Sequence, residues 1–290
     1  MKGKFLLLML LLAMMVQFVQ AQNKKLLIRC DDIGMSHSVN MAAKELIESG
    51  VPFSASVMFV CPWYQEAVDM LKEHPEITAG VHLTLNAEWK NYRWGPVSGA
   101  ENVPSLVDSC GYFTPSRAKF YAHSPKLKEI EKELRAQIER ALHSGLKISY
   151  LDYHMGTAVD KPEYRKIVEK LAKEYKLGIS NYFQEIYLNN MYNDPIEKKA
   201  DSLKSILGDL KPGPVNLLVC HIGKDTPELQ AMLDLNSFGL KEMSRHREAE
   251  LDALKSTMTK EFIKNNDLKL ITYSQLIAEM GLKNMKRPSE

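Results

Sequence analysis

From residue 25 onward, short apolar runs alternate with amphipathic helical patterns, and this alternation constrains the fold more than any other feature of the chain. A run at 26–30 is followed by a polar turn and a helical pattern over 39–49. Runs at 55–60 and 77–83 bracket a helical pattern over 65–73. Further along, a run at 148–152 precedes a helix over 162–175 and a short run at 177–180. The segment 215–220 has the unbroken apolar character of a buried strand, and 268–273 reads as the last strand. Strands interleaved with helices predict a parallel sheet covered by helices. About seven strands within about 250 residues predict an α/β chain folded as a single (β/α) barrel, distorted or incomplete relative to the eight-stranded form.

Between these runs lie the less regular parts. Residues 86–123 carry Trp, Gly, Pro and Asn without periodicity and read as one long loop. Ser124-Pro125 reads as the N-cap and first-turn proline of a helix reaching about residue 144. Its apolar positions Leu127, Ile130, Leu134, Ile138 and Leu142 recur at helical spacing. A second irregular stretch, 182–194, leads into a helix over 196–210, which Pro212-Gly213-Pro214 stops. Residues 225–242 read as loop with one short helix, 244–265 as one long amphipathic helix, and 275–280 as a closing helix. No linker, repeat or low-complexity segment divides the chain, so residues 22–290 are expected to form one domain.

Residues 5–19 are apolar, follow Lys2 and Lys4, and end in Val19-Gln20-Ala21. A basic start, an apolar stretch shorter than a membrane span and a small-residue ending predict a signal peptide over residues 1–21. An uncleaved anchor is the alternative; Gln17 and Gln20, which interrupt the run, argue for cleavage. The expected location is secreted or periplasmic, with no stable membrane association after cleavage. Losing the segment's two lysines leaves 36 basic against 36 acidic residues. Such a balanced chain has no reason to prefer polyanions, so nucleic acid is excluded as an expected partner and a small polar ligand is favoured. Of the four cysteines, Cys30, Cys61 and Cys220 fall in apolar runs and read as small buried hydrophobes; Cys110 lies in the long loop. Disulfide pairing and oligomeric state are left open.

Functional residues of such barrels come from the C-terminal ends of strands and the loops after them. Reading only those positions gives Asp31-Asp32 after the first strand, His82 in the third, Asp152 and His154 at the fourth, and His221 after the run at 215–220. Each alone has an ordinary explanation, a turn aspartate or a satisfied core histidine. Four strand ends delivering carboxylates and imidazoles to one rim do not, because buried unpaired polar groups are costly. One carboxylate with two imidazoles suits a divalent cation that keeps open positions, as catalytic sites do. The adjacent aspartate is then free to take a proton from water.

These residues resemble a known family. Asp31-Asp32-Ile33-Gly34-Met35-Ser36 with Asn40, Gly80-Val81-His82-Leu83-Thr84-Leu85, and Tyr150-Leu151-Asp152-Tyr153-His154-Met155-Gly156 resemble, in order, three motifs of the YdjC-like carbohydrate deacetylases, which share a polysaccharide-deacetylase-type barrel. Residues 217–223, the strand containing Ile271-Thr272-Tyr273, and Arg247 with Glu250 are similar to the C-terminal part of that family. The likeness spans roughly residues 25–280. It implies Asp32, His82 and His154 as metal ligands, Asp31 as general base and His221 as general acid. One departure is Gly156, where many family members carry a further histidine.

The expected activity is removal of an acetyl group from an N-acetylated amino sugar or oligosaccharide. The expected cofactor is one divalent cation: the ligand set favours zinc, and the resemblance also admits magnesium. Trp89, Arg93 and Trp94, with Tyr92 and Trp63, are expected to meet a small carbohydrate at the barrel mouth, with Asp152 beside them; packing of the long loop is the other explanation for the rings. The alternatives are a non-catalytic exported carbohydrate-binding barrel, or a related barrel hydrolase cleaving another amide or an ester.

Overall fold

The computed structural model describes residues 24–288. The expected signal peptide, residues 1–21, and the junction after it lie outside the described residues. Eight strands form one sheet: β1 (Lys25–Ile33), β2 (Ser54–Val57), β3 (Thr78–Leu83), β4 (Ile148–Tyr153), β5 (Gly178–Ile179), β6 (Ile186–Tyr187), β7 (Val215–Cys220) and β8 (Lys269–Ile271). The order is β5-β4-β3-β2-β1-β7-β6, every pairing is parallel, and β8 pairs with the start of β1. Strand β2 pairs with β1 only from Arg29 onward, while β8 pairs with Lys25–Leu27. No pairing joins β5 to β6 among the described residues, so this is a barrel curled but left open on one side.

The helices are α1 (His37–Glu48), α2 (Tyr64–Glu73), α3 (Arg117–Ala122), α4 (Leu127–His143), α5 (Pro162–Tyr175), α6 (Lys199–Gly208), α7 (Pro227–Gln230), α8 (Met243–Lys255), α9 (Thr257–Asn265) and α10 (Tyr273–Met280). Among the described residues no helix is long and apolar enough to cross a membrane.

The two-residue alternation of strand side chains sorts the barrel into layers. On β1, Leu26, Ile28 and Cys30 face the helices, where they join Val81, Leu151, Leu218 and Cys220 in the outer core. Leu27 faces inward and meets Tyr150, Leu217, Val219, Ile271 and Tyr273 in a separate inner core. The next inward positions on β1 are Arg29 and Asp31, both almost fully buried. The barrel thus has an apolar floor, with polar groups stacked above it toward the strands' C-terminal ends. Gly80 is required by that floor: in register with Tyr150, it would carry its Cβ 2.5 Å from the Tyr150 ring.

Several boundaries depart from the sequence reading. Helix α4 starts at Leu127, and Ser124 adopts a left-handed φ of 50° instead of capping it. The expected continuous helix over 244–265 breaks at Ser256, whose hydroxyl accepts the Thr259 N–H and caps α9. The last strand stops at Ile271, because Thr272 and Gln275 form a capping box that starts α10. Strand β6 arises inside the stretch read as irregular, and the long loop holds two 3-10 turns and α3. Cys30, Cys61 and Cys220 are buried and Cys110 is exposed.

Candidate active site

A cavity of about 810 Å³ opens at the C-terminal ends of the strands, and Asp31, Asp32, His82, His154, His221 and Arg247 line its floor. Strand β1 delivers two carboxylates through a register shift between Cys30 and Ile33, with Asp32 at a left-handed φ of 64°. Irregularities of this kind re-aim side chains, and here they send neighbouring carboxylates to different partners. Asp31 turns to Arg29, which donates from Nε to Oδ1 at 2.6 Å and from Nη2 to Oδ2 at 2.7 Å. Asp32 turns to the histidines. The turn after it is tied down by Asn40, whose Oδ1 accepts the Gly34 N–H at 2.8 Å.

Asp32 Oδ1 lies 3.3 Å from His82 Nε2 and 3.2 Å from His154 Nδ1. Each imidazole is held from behind by a carboxylate. His82 Nδ1 donates to Asp152 Oδ1 at 3.1 Å, and His154 Nε2 donates to Glu88 Oε2 at 3.0 Å. With those ring nitrogens committed as donors, the two facing nitrogens are left to present lone pairs toward Asp32 Oδ1, which itself has no well-directed hydrogen bond. Three acceptors all within 4.8 Å of one another, each buried, form a set that a cation would satisfy. The donor set therefore fits a divalent metal ion held by Asp32, His82 and His154.

The surrounding charges agree. Burial would depress the His82 imidazole, yet Asp152 and Asp31 push it up to about 10. Burial also opposes charge on His154, yet Glu88 and Asp32 raise it to about 9. Burial alone would raise the Asp32 carboxyl, but Arg247 and the two histidines hold it well below the usual range. Arg247 Nη2 donates to Asp32 Oδ2 at 2.6 Å, which leaves only Oδ1 to face the cluster. The cluster is rich in negative charge, and protons occupy it when nothing else positive does.

His221 follows β7, with Nδ1 buried and without a partner, and burial lowers its pKa. Tyr192 packs edge-on against its ring, 5.1 Å between centroids, and the His221 backbone N–H donates to Glu250 Oε2 at 2.8 Å. Sequence order made this strand the sixth; with β6 counted it is the seventh.

Three expected substrate contacts are placed elsewhere. Arg93 is spent on Asp108 and the Phe113 carbonyl. Trp94 is 3% exposed, donates its indole N–H to the Asn86 carbonyl and packs beside His154 at 6.2 Å. Asp152 is fully buried behind His82 and within 2.9 Å of Arg29 Nε. None of the three lines the cavity, because packing and ion pairing within the barrel have already claimed them. Trp89 does line it, although only 2% exposed. Trp63 and Tyr92 lie off it, Tyr92 donating to the Met35 carbonyl. The exposed ring at the mouth is Phe238, 70% accessible, which the sequence reading passed over. Also passed over were Glu88 and Arg29; a lone arginine inside the apolar run 26–30 was the signal for the latter, since a buried charge requires a partner. Gly156 has a φ of 74°, and a Cβ placed there would meet nothing closer than 4.0 Å, so backbone conformation, not crowding, suits glycine there.

Residues 25–265 match the family described as YdjC-like protein. The chain belongs to the YdjC-like family. Among curated relatives, a carbohydrate deacetylase of Brevibacillus brevis is 30% identical over 267 residues, covering 87% of this chain and 99% of the relative. A carbohydrate deacetylase of Enterococcus faecalis is 30% identical over 273 residues, covering 88% and 98%. Among solved structures, one from Enterococcus faecalis, described as that of a candidate cellobiose-phosphate cleavage protein, superposes with a TM-score of 0.71 at 25% identity, covering 88% of this chain and 99% of the other. This YdjC-like chain thus matches these relatives over nearly their whole length, and the family match takes in strands β1 to β7 and the rim residues Asp31, Asp32, His82, His154 and His221.

Proposed function

We propose that this YdjC-like chain is a metal-dependent hydrolase that removes the acetyl group from an N-acetylated amino sugar or oligosaccharide. The observation that carries this reading is the buried Asp32–His82–His154 cluster with a second, differently oriented carboxylate beside it and His221 on the same cavity floor. The names of the curated relatives support carbohydrate deacetylation as the reaction class.

A zinc or magnesium ion held by the three ligands would supply Lewis acidity that polarises the acetamide carbonyl and acidifies a neighbouring water. Asp31 takes the proton of the attacking water, while Arg29 fixes the plane of its carboxylate through two hydrogen bonds. Oxygen adds to the acyl carbon, the C–N bond breaks, and His221 delivers a proton to the departing amine. Burial lowers the His221 pKa, which makes the imidazolium a stronger acid while favouring the neutral ring at rest. Acetate and a free amino sugar leave. Phe238 and Tyr121 at the mouth offer aromatic faces to a sugar ring. A purely binding barrel is disfavoured, because it has no use for Asp31 held ready beside a cation site.

Export to the periplasm or exterior, after cleavage behind Ala21, belongs to the same reading and is supported by the pattern of residues 1–21. The test is acetate release from a panel of N-acetylated sugars by purified protein loaded with zinc or magnesium. Acetate release that requires metal is the expected result. Tight sugar binding without any acetate release would favour the binding barrel instead.

A further inference from the structure

Lys199 is the largest puzzle outside the catalytic cluster: a lysine at the start of α6, 1% exposed, serving neither the floor nor the surface. Its ammonium has three protons and finds three acceptors. These are the Met191 carbonyl at 2.5 Å, the Tyr192 carbonyl at 2.9 Å and Glu250 Oε1 at 3.2 Å. Burying a lysine costs several kcal/mol unless it is fully paired, and a neutral side chain would fill the space without that penalty. Full satisfaction by two successive carbonyls and one carboxylate is therefore a specific arrangement.

Each partner leads to the cavity. Met191 and Tyr192 belong to the segment after β6, and the Tyr192 ring packs edge-on against His221. Glu250 uses its other oxygen, Oε2, to accept the His221 backbone N–H. One turn earlier on the same helix, α8, Arg247 pairs with Asp32. Lys199 thus ties together the Tyr192 segment, the carboxylate under His221 and the helix carrying Arg247.

We propose that Lys199 is a positioning residue for catalysis, which through the Met191 and Tyr192 carbonyls and Glu250 holds Tyr192 against His221 and fixes where the His221 imidazole can point. Lys199 touches neither substrate nor metal ligands. Its effect is exerted on the orientation of the proton donor, so this inference rests on the role given to His221 in the proposed deacetylation.

Lys199→Met keeps length and fills the space, but removes all three donors and leaves Glu250 as a buried carboxylate without its cation. Destabilisation alone is therefore expected and decides nothing. The double variant Lys199→Met/Glu250→Gln removes that charge while keeping an acceptor for the His221 N–H, so the melting temperature should recover toward wild type. The two carbonyls still lack their donor, and Tyr192 remains loose. In the recovered double variant, kcat should stay down by about 10-fold to 10²-fold, the scale on which a small misplacement of a reacting group acts, while KM and metal content stay within about twofold of wild type. If kcat returns together with the melting temperature, Lys199 is merely structural and the proposal is overturned.

A second readout does not depend on activity. The His221 ring resonance in zinc-loaded protein, assigned by its loss in His221→Gln, carries a ring-current shift from Tyr192. Tyr192→Leu should move it, and Lys199→Met/Glu250→Gln should move it in the same direction. An unmoved resonance in the double variant overturns the proposal whatever the wild-type reaction proves to be. Wild-type protein that releases no acetate, by contrast, overturns the deacetylase reading and leaves the resonance measurement to judge Lys199.

Discussion

Replacing Asp31 by Asn isolates one oxygen in a site where nearly everything else can be held constant. The side chain keeps its shape, and its carbonyl oxygen still accepts one of the two Arg29 bonds, which lie at 2.6 and 2.7 Å. The amide nitrogen then meets the other Arg29 N–H donor to donor. Arg29 retains Asp152 at 2.9 Å and Ser180 at 2.6 Å, so its charge remains compensated. The loss is one buried charge-assisted hydrogen bond, about 2 kcal/mol, which lowers the melting temperature by roughly 4–8 °C for a domain of this size. That leaves a folded protein, given typical stabilities of about 5–15 kcal/mol. Metal occupancy should not change, because the Asp31 carboxylate is committed to Arg29 and Asp32 faces the histidines. Turnover should fall by about 10²–10⁴-fold, the worth of a general base. Acetate release, bound metal by elemental analysis and melting temperature would be measured on the same preparations, with Asp32→Asn in parallel. Asp32→Asn should lose both metal and turnover. Turnover within about threefold of wild type in Asp31→Asn refutes the base assignment; loss of metal in Asp31→Asn with retention in Asp32→Asn means the roles are exchanged.

His82→Ala and His154→Ala should each lower bound metal, since each removes one of the three proposed ligands; full stoichiometry in both variants would show that the site is wrongly placed. Glu88→Ala should weaken metal affinity about 10–100-fold, as loss of a carboxylate behind a metal-binding imidazole does, and competition with a chromophoric chelator reads that directly. The pH dependence has a definite sign. His82 and His154 have folded values of about 10 and about 9 against about 6.5 unfolded. Their stabilising contribution in metal-free protein is therefore complete below about pH 6.5 and is lost as pH rises through 9–10. Melting of chelator-treated protein should shift downward from pH 7 to pH 10, while metal affinity strengthens over the same range because cation and protons compete for the same nitrogens. A metal-free melting temperature that rises between pH 7 and 10 would contradict this picture.

The sequence by itself determined the architecture and most of the rim. Runs such as 215–220 and the helix at 162–175 coincide with β7 and α5, because an apolar run between breakers and a 3.6-residue periodicity opened by a first-turn proline are local signals that packing only reinforces. Asp31, Asp32, His82, His154 and His221 could be named because parallel barrels place the ends of their strands at one rim. Element ends were less legible: the Ser256 hydroxyl decides one boundary by capping α9, and the Thr272–Gln275 capping box decides another, local bonds that average helix and strand character does not register. What the sequence could not fix was which polar residues serve one another across the fold. Trp94 and Arg93 have the composition of a sugar site, yet the tertiary structure buries one and pairs the other. Glu88 meets His154 across 66 positions, Arg247 meets Asp32 across 215, and Lys199 meets Glu250 across 51. Charges in a low-dielectric interior must be compensated by whatever lies within hydrogen-bonding distance, and only the folded barrel determines what that is.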